Sequence, residues 1–129
     1  MMPAGEYYIG DLCYVMTDEE WNQFCKITIS GPKVLDGEFE LPDGRKFATY
    51  CTAYGDGLYR DQYENSYSVD AGLIGCIKRE DIRIEKYKDI EDLGKFHTFE
   101  TDFVTGGGRG EKGWEGTIQF GRVLIETDC

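Results

Sequence analysis

Glu38-Phe39-Glu40-Leu41-Pro42-Asp43-Gly44-Arg45-Lys46-Phe47-Ala48-Thr49-Tyr50-Cys51-Thr52-Ala53-Tyr54 decides the fold class. Glu38 to Leu41 alternates polar and apolar, the period of a strand with one buried face. Pro42-Asp43-Gly44-Arg45 reads as a tight turn, because Asp-Gly accepts the positive φ that hairpin turns require. Phe47 to Tyr54 then returns as a run of β-branched and aromatic residues, the types that suit a pleated surface. The segment is therefore a β-hairpin.

Downstream the same pattern recurs. Gly55-Asp56-Gly57 is a second turn, and Leu58–Asp61 with Tyr67–Val69 forms another hairpin around Glu64-Asn65. Leu73-Ile74-Gly75-Cys76-Ile77 is apolar throughout, as expected of a central strand buried on both faces. Arg79-Glu80-Asp81 is a short turn, and Ile82 to Tyr87 alternates like a strand. Asp89 to Leu93 suggests a helical turn stopped by Gly94, and Phe96 to Val104 alternates again. Thr105-Gly106-Gly107-Gly108-Arg109-Gly110 reads as a flexible loop, and Trp114 to Thr127 as a final strand or hairpin with Gly121 at a bulge or turn.

Upstream, Gly5 to Gly10 is an opening strand, and Leu12 to Met16 resumes extended structure. Thr17-Asp18-Glu19-Glu20 has the capping-box pattern, a hydroxyl at the cap and a carboxylate three residues on. Its acidic first turn suits the positive end of a helix dipole. Trp21, Phe24 and Cys25 make one apolar stripe at helical spacing, and the helix ends before Gly31-Pro32. The expectation is a single mainly β (or α+β) domain over residues 1–129, a small antiparallel barrel or sandwich with one amphipathic helix near residues 17–26.

The 129 residues suit one domain. With 40% hydrophobic and 14% aromatic residues there is material for a core, which argues against disorder despite a net charge of −11. Against 14 Lys and Arg stand 25 Asp and Glu, a surface that repels phosphate backbones and anionic membranes, so no direct nucleic acid and no membrane is expected as partner. No apolar run approaches a membrane span, and the first eight residues carry no secretory pattern, so a soluble cytoplasmic chain with reduced thiols is expected. None of the five cysteines forms a Cys-x-x-Cys, and Cys51 and Cys76 fall inside strands as small core residues.

The segment from Tyr54 to Gly72 carries the richest chemistry. It interleaves Tyr54, Tyr59 and Tyr67 with Asp56, Arg60, Asp61 and Asp70. Paired hairpin strands can bring Asp56, Asp61 and Asp70 together, where three carboxylates would hold a hard cation or divide general acid and base roles. The spacing matches no EF-hand, and turn aspartates with strand tyrosines account for the same residues. In Gly10-Asp11-Leu12-Cys13-Tyr14 a carboxylate beside the thiol raises its pKa, which disfavours a reactive Cys13. The sole histidine, His97, sits in an alternating segment where a structural role is expected. Gly108-Arg109-Gly110-Glu111-Lys112-Gly113 matches Gly-x-Gly-x-x-Gly, but an extended segment follows where a dinucleotide site needs a helix. What remains of that match is Arg109, with Lys112, as a candidate grip for an anionic ligand. Nothing calls for zinc or another cofactor.

Tyr7-Tyr8-Ile9-Gly10-Asp11-Leu12-Cys13-Tyr14-Val15, together with Tyr67 to Gly75, resembles small uncharacterised proteins of bacteria and their phages that open with Tyr-x-Ile-Gly-Asp-x-Cys-Tyr-Val. These often have Pro where this chain has Leu12, and the likeness covers roughly the first 80 residues. The resemblance implies a microbial or viral cytosolic setting and carries no catalytic residue across.

The expected function is a non-catalytic binding protein. It would engage a small, nucleotide-like ligand or a host protein through Tyr54, Asp56, Tyr59, Arg60, Asp61, Tyr67, Asp70 and Arg109, with room for a homo-oligomer. The alternatives are a small carboxylate- or metal-dependent hydrolase built on Asp56, Asp61 or Asp70, and an acidic decoy of a nucleic-acid-binding protein.

Overall fold

A computed structural model describes residues 1–30, 33–52, 56–70, 72–84, 90–110 and 113–127. In chain order the elements are β1 (Gly5–Gly10), α1 (Asp18–Thr28), β2 (Ile29–Ser30), β3 (Lys33–Val34), β4 (Gly37–Glu40), β5 (Lys46–Cys51), β6 (Gly57–Asp61), β7 (Ser66–Val69) and β8 (Leu73–Lys78). After these come α2 (Ile90–Leu93), β9 (Lys95–Phe99), β10 (Thr105–Gly110), β11 (Gly113–Phe120) and β12 (Val123–Glu126). Two five-stranded sheets run β4-β5-β8-β1-β9 and β10-β11-β12-β6-β7, and β2 pairs with β3 in a small ribbon. Every pairing is antiparallel, and the sheets stack as a sandwich rather than closing into a barrel.

The first sheet is covered on both sides, and its register shows why. Phe39, Phe47, Ile77, Tyr8 and Phe96 are cross-strand neighbours in one row. That row faces α1 and the turn after β1, in a cluster with Leu12, Val15, Met16 and Phe24. The alternate residues Tyr7, Ile9, Ala48, Tyr50, Ile74 and Cys76 face the second sheet, meeting Tyr59, Tyr67, Val69, Ile118, Phe120, Val123 and Ile125. The continuous apolar run of β8 follows from this burial on both faces. Gly75 is required there, because a Cβ would lie 2.3 Å from the Ala48 carbonyl oxygen and 2.8 Å from Leu12.

The helix forms as its cap predicts. Glu20 N–H donates to Thr17 Oγ1 at 3.2 Å and Thr17 N–H donates to Glu20 Oε1 at 3.0 Å. Phe24 lies between Trp21, with ring centroids 4.5 Å apart, and Phe47, at 5.0 Å, which docks the helix on the first sheet. Glu20 also pairs through Oε2 with Arg45 Nη1. Arg45 in turn donates through Nε to Asp43 Oδ2 at 2.8 Å and through Nη1 to the Asp81 carbonyl at 2.8 Å. One guanidinium thus fastens the β4–β5 turn to the first turn of α1 and to the turn after β8.

Four local expectations are corrected. Leu12–Tyr14 is a 3-10 turn rather than extended, because Asp11 caps it, its Oδ1 accepting the Cys13 N–H at 3.0 Å. Arg79–Asp81 forms the expected short turn, as 3-10, but no strand covers Ile82–Ile84, while residues 85–89 lie outside the described set. The strand expected from Phe96 to Val104 ends at Phe99: the chain bends back so that Phe103 bridges Met2 and stacks on Phe99 at 3.9 Å between centroids. Thr105–Gly110 is a strand, not a flexible loop. Gly107 serves close approach, since a Cβ there would fall 2.3 Å from the Thr117 carbonyl oxygen of the paired strand. Glycine ordinarily weakens strands, which is why the segment reads as a loop.

Candidate functional site

The β6–β7 hairpin holds most of the described candidate residues and presents two different faces. Strand alternation sends Tyr59, Asp61, Tyr67 and Val69 inward and leaves Leu58, Arg60, Ser66 and Ser68 on the outer side of the second sheet.

On the inner side, Asp61 occupies a core position, in register with Ile125, which is itself opposite Ile118. A carboxylate at such a position must be saturated with donors. Asp61 Oδ1 accepts the Tyr63 N–H at 2.8 Å and the Asn65 N–H at 3.0 Å. Its Oδ2 accepts Asn65 Nδ2 at 3.0 Å and the Tyr67 hydroxyl at 2.6 Å. The Tyr67 oxygen lies 2.9 Å from His97 Nε2, on β9 of the other sheet. Burial pushes the Asp61 carboxyl up, but the bonds from Tyr67, Asn65 and Tyr63 outweigh it and hold the group below the usual carboxylate range. Burial, reinforced by Asp61, pushes the Tyr67 phenol far above its ordinary value. Burial also lowers His97, opposed by Asp61 and assisted by Arg122.

The proton positions follow from these facts. The Tyr67 hydroxyl donates to ionised Asp61, so the Tyr67 oxygen can only accept from His97, which is then the neutral tautomer with hydrogen on Nε2. The chain Asp61–Tyr67–His97 joins the sheets at one edge of the sandwich. At the other edge Tyr50 donates to Thr105 Oγ1 at 2.7 Å and Thr105 donates to Glu38 at 2.9 Å, a second polar tie. Tyr67 is fully buried, so its hydroxyl cannot reach a substrate. The arrangement fixes a proton and orients a histidine across the sheets.

The carboxylates named from the sequence do not gather. Gly57 is opposite Val69, so Asp56 and Asp70 flank one end of the hairpin while Asp61 sits at the other, about 16 Å along the strand at ~3.3 Å per residue. Asp70 contributes its backbone N–H, at 2.8 Å, to Asp11 Oδ2. Among the described residues no three His, Cys, Asp or Glu side chains assemble a metal-binding group. His97 faces between the sheets, whereas the turn carrying Cys13 packs its Leu12 on the opposite, helix-side face of the first sheet. Tyr54 lies outside the described residues. Arg109 lies on β10 opposite Trp114, and its side chain is outside the described set.

The outer side is different in kind. Thr117, Glu126, Arg60 and Ser66 are cross-strand neighbours in a single row over β11, β12, β6 and β7. Leu58, 59% exposed, and Leu124, 39% exposed, flank that row. Gln62 stitches the hairpin to β12, accepting the Leu124 N–H at 2.8 Å. Leu58, Arg60, Gln62, Thr117, Leu124 and Glu126, with Tyr59 and Asp61, line an open depression of about 610 Å³. Leu58, Gln62 and Leu124 are absent from the residues singled out by sequence. A signal for Leu124 exists: in Val123-Leu124-Ile125 a strand must turn the middle residue away from its neighbours.

No helix among the described residues is long and apolar enough to cross a membrane. Compared with known protein families, with curated proteins and with solved structures, the chain matches none.

Proposed function

We propose that this chain is a non-catalytic binding protein of microbial or phage origin, acting in a cytoplasm, that engages a protein partner through the outer face of the second sheet. The observation that carries the reading is the division of the β6–β7 hairpin. Its inward Asp61 and Tyr67 are buried and hydrogen-bonded, while Leu58 and Arg60 stand exposed on the outer side, with Leu124 exposed beyond the row of Arg60 and Glu126. Leu58 and Leu124, exposed on either side of Arg60 and Glu126, give this face two apolar contact points for a complementary surface. Between the two ligand classes, a depression that is half open rather than enclosed favours a protein over a small molecule, which prefers an enclosed pocket. The hydrolase reading loses support from the separation of Asp61 from Asp56 and Asp70.

Covalent footprinting tests the reading. Arginine-directed labelling of Arg60 and carboxyl labelling of Glu126 are compared between dilute purified chain and chain inside its producing cells, with Glu19 on α1 as reference. Protection of Arg60 and Glu126 relative to Glu19 in cells is expected. Equal labelling at all three in both settings would overturn the proposal.

A further inference from the structure

We infer that α2 and the start of β9, residues 90–97, form a flap that acid opens, latched to the second sheet by the bond between His97 and Tyr67. The flap stands apart from the docking face. β9 is the last strand of the first sheet and β7 the last of the second, and α2 packs against both, so this segment closes one side of the sandwich. Within the polar chain, the bond from Tyr67 to Asp61 is short, at 2.6 Å, charge-assisted, and internal to the second sheet. The bond between Tyr67 and His97, at 2.9 Å, joins two neutral groups and crosses the seam. The seam therefore parts on the histidine side, with Asp61 and Tyr67 still paired. The far end of β9 is anchored differently, by Phe99 stacked on Phe103 at 3.9 Å and by Arg122 lying over Phe99, so the end nearer α2 is the one that lifts.

Two features lower the cost of opening. The first is the Tyr8 hydroxyl, which is fully buried and has no hydrogen-bond partner among the described residues. Gly94 lies directly against it, where a Cβ would fall 2.4 Å from the oxygen. A buried hydroxyl without a partner is destabilising, and lifting residues 90–97 gives it water. The second is the set of groups around His97. From the β6–β7 hairpin it meets Tyr67 and, beyond it, Asp61, whose charge is already shared with Tyr63, Asn65 and Tyr67. From β1 it meets Tyr7, whose hydroxyl donates to the Pro3 carbonyl. From the turn between β11 and β12 comes Arg122, which lies over Phe99, two residues along the same face of β9. Lys95 lies two residues the other way, and α2 carries Asp92, which is exposed. Burial, the largest influence, and Arg122 disfavour the imidazolium, while Asp61 favours it. A protonated His97 is therefore better placed in water than in the seam, and its half-buried ring is within reach of solvent protons.

Amide hydrogen exchange of the full chain, resolved by NMR between about pH 7 and 5 and corrected for the intrinsic pH dependence of exchange, tests this. Opening takes up one proton, so the opening constant of residues 94–98 rises by up to about tenfold per pH unit below ~6.5 and levels off once the closed histidine is itself protonated. In His97→Gln, which keeps an N–H donor but cannot titrate, the constant is flat across the same range. Tyr67→Phe cuts the latch without changing the charge and raises opening about two- to tenfold already at pH 7. The amides of β8, at the middle of the first sheet, exchange more slowly throughout. A flat profile in the native chain overturns the inference, as does an equal slope in His97→Gln or an opening constant unmoved by Tyr67→Phe. Exchange at residues 94–98 no faster than at β8 overturns it as well, because the whole domain would then open at once.

Discussion

Replacing Tyr67 by Phe removes one oxygen from the middle of the Asp61–Tyr67–His97 chain and leaves the packing volume nearly unchanged. Tyr67 is fully buried, so the ring stays in place and no large cavity opens. Asp61 keeps the Tyr63 and Asn65 backbone donors and the Asn65 side chain but loses the bond at 2.6 Å, its shortest. A hydrogen bond to a charged acceptor contributes ~1.5–3 kcal/mol. The abandoned His97 N–H adds up to ~1 kcal/mol, limited because the ring is only half-buried, and burying Phe in place of a phenol returns part of the loss. The net destabilisation is about 2–3 kcal/mol. At ~2.1 cal/mol/K of unfolding entropy per residue, this lowers Tm by about 7–11 °C for a chain of 129 residues. Urea and thermal unfolding at pH 7 measure it. In an Asp61→Asn background the same substitution has a smaller effect, because the charged acceptor is already gone. A loss below about 0.5 kcal/mol, or full additivity of the two substitutions, would refute the description of this chain as a buried, charge-assisted tie between the sheets.

Two further outcomes follow from other ties. The lowered pKa of His97 means that the unfolded chain binds a proton first as pH falls below ~6.5, so the stability His97 contributes is present above that pH and is lost on acidification through its folded value. Glutamine at 97 keeps an N–H donor but cannot titrate, so melting curves of His97→Gln between about pH 7 and 5 decline less than those of the native chain; parallel curves would contradict the assignment. Arg45→Ala leaves Glu20 buried without its cation and the Asp81 carbonyl without its donor, lowering stability by about 2–4 kcal/mol in chemical denaturation, with Lys a poor substitute because it cannot span three acceptors.

How much was legible in the sequence depended on whether a signal was local. The Pro42-Asp43-Gly44-Arg45 turn, the Thr17–Glu20 capping box and the doubly buried β8 are written in neighbouring residues, and each forms as read. The Gly-rich strand β10 reads locally as a loop, because Gly107 answers to Thr117 on another strand, which no local window contains. The turn at Leu12 departs from the extended pattern because alternation describes the backbone only until a side chain, here that of Asp11, captures a backbone N–H. Within the candidate site, the tyrosines and aspartates of the hairpin stood out by type. Which of them turn inward depends on register against Ile125, and the tie to His97 depends on how the two sheets stack, at a separation of 30 residues. Arg45 looked like a turn residue, yet it carries the fastening of α1.

The most direct test of the docking face is site-specific photocrosslinking inside the producing cell, with the crosslinker at Leu58 on the outer face in one sample and at Glu19 on α1 in another. The account predicts discrete adducts from position 58 and none from position 19. Adducts from position 19 with none from position 58 would contradict it.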